Sequence, residues 1–139
     1  MASQYYRPCP ELTECDRLIK TYYLTGQYEA CFRGHLPLAE AGYPLAECQI
    51  GFFYHEGLGV ERDLERSFYW TRRGAEHGDW DAQFNLAEWF YGPGQVADGD
   101  PDQAARWYAA AARQGHKEAL AKCRELGISL ENRGKEERL

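Results

Sequence analysis

The stretch FYWTRRGAEHG, which ends at Gly78, returns as ARWYAAAARQG, which ends at Gly115, 37 residues later. A period of that length in a chain of 139 residues is the length of one helical hairpin. Two amphipathic helices of that size cannot bury their apolar faces alone, so neighbouring hairpins must stack to share a core.

Superposing the units column by column tests the repeat. On the first helix of each hairpin, Cys15, Ala46, Ala82 and Ala119 form a small column, and Ile19, Ile50, Leu86 and Cys123 an apolar one. The next turn carries Tyr22, Phe53, Trp89 and Leu126. Small, apolar and aromatic residues at spacings of three to four make one face of an α-helix. On the second helix, Gly42, Gly78 and Gly115 stand where a left-handed residue would end it. Ala39, Ala75 and Ala112 lie three residues before them, and Trp70 and Trp107 share a core column eight before. The irregular offsets between units reduce to a shortening of the first interhelical loop and a one-residue insertion in the third. Loops are where length changes cost little.

Local signals agree with that register. Asp63 and Asp100 read as N-caps, the second followed by Pro101 at the first helical position, and Pro44 opens another helix. Gly57-Leu58-Gly59-Val60 supplies a tight turn, with Gly92-Pro93-Gly94-Gln95-Val96 as its longer counterpart. The pattern predicts helices over Leu12–Leu24, Tyr28–Ala41, Leu45–Glu56, Leu64–His77, Asp81–Tyr91, Pro101–Gln114 and Lys117–Leu126. Gly34 and Pro37 fall inside the second, and an interior proline removes a hydrogen bond, so a bend or break is expected near His35. The fold class is therefore all-α, with residues 1–11 as an extension, 12–127 as the repeat domain and 128–139 as a charged tail.

Ala46, Gly51, Tyr54, Gly57, Gly59, Val60, Asp63, Trp70, Ala75 and Gly78 together resemble the Sel1-like repeat, a tetratricopeptide-like helical hairpin. The third unit keeps Ala82, Leu86, Phe90, Val96, Asp100, Ala104, Trp107, Tyr108, Ala111, Ala112 and Gly115, with Ala87 replacing a glycine. The first is degenerate. The resemblance implies a right-handed α-α superhelix of about three and a half hairpins that scaffolds complexes or holds a peptide in its concave groove. It implies no catalytic activity and no cofactor.

Composition sets further bounds. A net charge of −6 argues against nucleic acid as the main ligand, because phosphate binding needs a basic face. Arg72 and Arg73 form a small basic spot that reads as ordinary surface charge. No apolar run reaches the ~20 residues of a membrane span, and the first residues carry no hydrophobic segment of the signal-peptide kind, so a cytoplasmic location without membrane attachment is expected. Cys15, Cys31 and Cys123 occupy core columns and read as small buried hydrophobes, and reduced thiols are expected. His35, His55, His77 and His116 share no column and lack metal-ligand spacing.

The residues of functional interest lie between the core columns of the first helices, which line the concave wall of such a solenoid. Gln49 and Asn85 are successive amides there, Phe52 and Glu88 follow a turn later, and His55 and Trp89 flank them. Amides hydrogen-bond a peptide backbone and an aromatic anchors a side chain. Phe52 would serve equally as packing against the next hairpin. The expected role is a non-enzymatic adaptor that binds a protein or peptide on this face. A self-assembling module is the alternative, with homo-oligomers left open, and a small hydrolytic enzyme ranks third.

Overall fold

Three turns of one geometry set the phase of the stack in the computed structural model, which describes residues 7–92 and 99–131. Gly42, Gly78 and Gly115 have φ of 91°, 103° and 94°, a region that a residue with a Cβ adopts only under strain. After each glycine, the next N–H donates to a carbonyl five residues back: Tyr43 to Leu38 at 3.0 Å, Asp79 to Gly74 at 2.9 Å and His116 to Ala111 at 3.2 Å. These bonds satisfy the carbonyls that a helix end leaves open. They also launch each following helix in the same direction.

The elements are α1 (Pro10–Leu18, continued by a π turn over Ile19–Tyr23), α2 (Tyr28–Glu40), α3 (Pro44–Glu56), α4 (Leu64–Glu76), α5 (Trp80–Tyr91), α6 (Pro101–Arg113) and α7 (Lys117–Leu126). Among the described residues all regular structure is helical, and each helix packs mainly on its neighbours in sequence. The chain is a series of hairpins, α1–α2, α3–α4 and α5–α6, closed by the single helix α7. Side chains cap the helix starts as the sequence indicates: Asp63 accepts from the Arg66 N–H at 3.0 Å, Asp79 from Ala82 at 2.8 Å and Asp100 from Gln103 at 3.1 Å. The two later hairpins close with the same bond, Asp63 N–H to the Tyr54 carbonyl and Asp100 N–H to that of Phe90. The inserted residue of the third loop is thereby absorbed outside the helices. Most of that loop, residues 93–98, lies outside the described residues, as does the tail from residue 132.

Two expectations for the first hairpin need correction. The first helix is α-helical only to Leu18; Leu24 and Gln27 then donate to carbonyls five residues back, on Ile19 and Tyr22. The second helix is neither split nor broken at His35 and runs unbroken from Tyr28 to Glu40. Pro37 removes only the bond to the Arg33 carbonyl, and both residues lie on the exposed side of α2, where the loss is cheap because solvent is at hand. Gly34 has a separate reason. A Cβ there would sit 2.3 Å from Cδ2 of Leu18, so the glycine admits the buried leucine.

Burial follows the columns except in the first unit, where Leu18 is buried in place of Ile19, which is half-buried at the start of the π turn. Cys15, Leu18, Cys31, Ala39, Ala46, Ile50 and Phe53 form the first core. Ala75, Ala82 and Leu86 join it to the last core, which contains Ala87, Ala104, Tyr108, Ala111, Ala112, Ala119 and Cys123. Ala46, Ala82 and Ala119 are each fully buried, as one column should be. Trp70 packs against the first core and Trp107 against the two later ones, both half-buried. Ile128 and Leu130, in the stretch assigned to the tail, rest on the last core. Gly51 closes the α3–α4 crossing: a Cβ there would stand 2.5 Å from Oγ1 of Thr71 and 3.1 Å from its backbone nitrogen.

His35 is fully buried against Phe53. Its Nδ1–H donates to the Cys31 carbonyl at 2.9 Å, and Nε2 has no hydrogen-bond partner among the described residues. Burial holds its pKa below the usual imidazole value, outweighing the bond to Cys31. The neutral ring is the form the fold accepts. Stability from this site is therefore complete above the unfolded value of about 6.5 and falls as pH drops below it. Urea midpoints should decline between neutral and mildly acidic pH. His35→Leu should flatten that decline, and an unchanged slope would contradict the assignment.

Candidate functional site

Residues from all four first helices meet in one hollow. Ile19 and Tyr23 from the end of α1, Gln49 and Phe52 from α3, Asp81, Phe84 and Asn85 from α5, and Glu118 from α7 line a depression of about 410 Å³ with His116. A face on which the first and last of four successive helices border one hollow must curve inward. A second depression of about 280 Å³ adjoins it, lined by Phe52, His55, Glu56, Asn85, Glu88 and Trp89, with Gly51, Ser67 and Thr71 behind them. Phe52 and Asn85 belong to both, so the two form one trough.

The structure brings the six residues of the sequence reading, Gln49, Phe52, His55, Asn85, Glu88 and Trp89, onto this trough. Their situations differ. Among the described residues, the side chains of Gln49 and Asn85 make no hydrogen bond, which leaves two half-buried amides facing the hollow. Phe52 is half-buried and rests on Tyr23 and Phe53 at ring distances of 6.4 and 6.0 Å. It packs and faces the trough at once. Trp89 is only 4% exposed, held edge to face by Phe68 at 5.6 Å and His55 at 5.8 Å, so it is floor rather than anchor. Glu88 accepts a hydrogen bond from the buried Tyr108 hydroxyl, and His55 Nδ1 lies 2.7 Å from the Glu56 carboxylate.

Tyr23, Asp81, Phe84, His116 and Glu118 also line the trough, and the sequence reading did not select them. Asp81 and Glu118 occupy the same position on α5 and α7, one residue before Ala82 and Ala119. That acidic pair was the available signal. His116 is built in twice over: Nδ1 accepts from the Ala119 N–H at 3.2 Å, capping α7, and Nε2 lies 2.9 Å from Oδ1 of Asp81. Its ring stacks on Phe84 at 4.9 Å. With both nitrogens engaged, the imidazole is a positioned structural group.

Ser67, His55 and Glu56 border one depression and are the residue types of a hydrolytic triad. Their contacts do not fit that role. The Ser67 hydroxyl is buried and donates to the Gly51 carbonyl at 2.7 Å, while His55 pairs with Glu56 and packs on Trp89. Among the described residues no group of three histidine, cysteine or acidic side chains is placed to hold a metal. The cysteines are free, and burial pushes the Cys15 thiol up to about 12 and raises those of Cys31, Cys48 and Cys123. Thiols held protonated in this way are poor nucleophiles.

Beside the trough lies a polar latch that sequence reading missed. Glu47 is fully buried, with Arg73 Nε 2.9 Å and His77 Nδ1 2.6 Å from its two oxygens. Arg73 is thus an internal partner, against the expectation of ordinary surface charge, and its guanidinium also covers Trp70 at 5.7 Å. The same two positions one hairpin later are Gln83 and Gln114, whose amides bond at 2.9 Å. One interhelical contact is thus made by charge in one hairpin and by amides in the next. Removing one partner of a buried carboxylate is costly because the group left behind is desolvated. Arg73→Ala should cost about 1–3 kcal/mol by urea denaturation. In a Glu47→Gln/His77→Gln background, which copies the next hairpin, the same change should cost under about 1 kcal/mol. Equal costs in both backgrounds would contradict the latch.

No described helix is long and apolar enough to cross a membrane. Comparison with known proteins matches the Sel1 repeat family at residues 44–79 and 80–116, and each match begins with a first helix and ends where the next begins. The chain is similar to the crystal structure of a Sel1 repeat protein from Oxalobacter formigenes, with a TM-score of 0.70 and 25% identity over 88% of this chain and 55% of that one. It is also similar to a protective antigen of uropathogenic Escherichia coli with the same repeat fold, with a TM-score of 0.68 and 28% identity over 87% of this chain and 26% of that one. Among curated proteins it is 25% identical, over 78% of its length, to chitin synthase regulatory factor 3 of Schizosaccharomyces pombe. It spans only 16% of that relative's length.

Proposed function

The chain belongs to the Sel1 repeat family, whose helical repeats typically mediate protein interactions, and on that premise we propose that it is a non-catalytic scaffold binding a partner in its trough. The observation that carries the reading is the pair of unpaired amides, Gln49 and Asn85, at equivalent positions on α3 and α5 and facing one hollow. Both amides reach solvent and make no hydrogen bond among the described residues, so a ligand's backbone can bond them without breaking a contact within the protein. Two at the repeat spacing suit an extended backbone, whose own donors and acceptors recur regularly. Tyr23, Phe52 and Phe84 supply the apolar surface between them. The similarity to a chitin synthase regulatory factor agrees with an interaction role.

Gln49→Ala combined with Asn85→Ala should reduce capture of protein partners from native extract at least about tenfold, since each lost hydrogen bond is worth about 1 kcal/mol. Because neither amide bonds to a described residue, the melting temperature should hold within about 2 °C. An outer-face control, Arg72→Ala, should capture normally. Undiminished capture by the double variant would remove the trough from consideration.

A further inference from the structure

We infer that the occupant of the trough is an extended peptide segment carrying lysine or arginine on both sides of an apolar residue, an inference that rests on the trough being a binding surface. Carboxylates stand in both hollows, Glu56 and Glu88 in the smaller and Asp81 and Glu118 in the larger. Among the described residues, neither hollow is lined by a lysine or an arginine. The arginines that form ion pairs do so elsewhere, Arg17 with Glu14, Arg33 with Glu29, Arg66 with Asp63, Arg72 with Glu76 and Arg73 with Glu47. The trough therefore concentrates negative potential between low-dielectric aromatic walls, within a chain of net charge −6.

The contacts inside the trough leave acceptor capacity unused. Glu88 takes the Tyr108 hydroxyl on Oε2, Glu56 meets His55 through Oε2, and Asp81 meets His116 through Oδ1. Among the described residues, the second oxygen of each has no hydrogen-bond partner, and Glu118 has none at all. These partners orient the carboxylates and leave their other oxygens open. An ammonium or guanidinium bonds those oxygens through charge-assisted contacts, while its aliphatic stem lies along Phe52 or Phe84. Because Phe52 is common to both hollows, the apolar residue of the segment falls between its two basic ones. An acidic segment would meet four like charges, and a phosphate backbone the same.

The test uses fluorescein-labelled peptides, Gly-Ser-Lys-Ser-Leu-Ser-Lys-Ser-Gly and its versions with both lysines replaced by norleucine or by glutamate, followed by anisotropy at low and high salt. The lysine peptide should bind about tenfold or more tighter than the norleucine peptide, an advantage that shrinks in high salt, and the glutamate peptide should not bind. Glu88→Gln with Asp81→Asn keeps the contacts to Tyr108 and His116 and should erase most of the lysine advantage. Equal binding of lysine and norleucine peptides, no lysine-peptide binding at millimolar concentration, or preference for glutamate would overturn the inference. So would concentration-dependent dimerisation that the Gln49→Ala/Asn85→Ala variant abolishes, since a second copy would then fill the trough. If the norleucine peptide binds as tightly as the lysine peptide and that amide variant loses both, the trough stands and only its basic occupant fails. If no peptide responds to either variant, both fail.

Discussion

The structure depends on small residues that let each first helix press against the second helices beside it. Ala46, Ala82 and Ala119 are fully buried although each belongs to a helix with one open flank. Gly51 and Gly74 show how close the approach is. A Cβ on Gly74 would lie 3.1 Å from that of Ala82 and 3.2 Å from the backbone at Pro44 and Cys48, so α3, α4 and α5 converge on one point. Close packing of this kind transmits side-chain volume directly into helix position. The curvature that brings α1 and α7 to the same hollow is the sum of those approaches.

Upon that frame the polar groups divide into two kinds. Glu47 with Arg73 and His77, and Gln83 with Gln114, bridge helices and are satisfied internally. Gln49, Asn85 and Glu118 face the hollow and have no hydrogen-bond partner among the described residues. The distinction matters because a buried polar group earns its place through partners. Groups without partners among the described residues, clustered on one concave face, give the trough its chemical character. The amphipathic histidines illustrate the same split: His116 is locked between a helix cap and Asp81, while His55 borders the open side.

Much of the fold was legible because it is periodic. The columns fixed the helical pairing, the caps Asp63 and Asp100, and the glycine turns, since each rule recurs in every unit and errors in one are corrected by the next. The first hairpin was less legible because it has no such check. Its π turn is invisible to a pattern based on 3.6 residues, and Pro37 signals a break that its exposed position makes unnecessary. At the trough, spacing identified the wall but not depth: Trp89 reads as a flanking ring, yet three-dimensional packing by Phe68 buries it. Glu47 escaped notice for a similar reason, because its partners lie 26 and 30 residues away, on α4 and at its C-terminal cap, and its equivalent is an amide.

Shared burial between neighbours is the claim on which the trough stands, and hydrogen exchange on a chain ending at Gly115 tests it most directly. Removing α7 and the residues after it takes away Ala119, Cys123, Ile128 and Leu130, which share one core with Ala104, Ala111 and Ala112. Amide protection should then fall sharply through α5 and α6 and persist better in α2 and α3. Full protection of α5 and α6 in the shortened chain would show that each hairpin is stable alone, and the stacked account would be wrong.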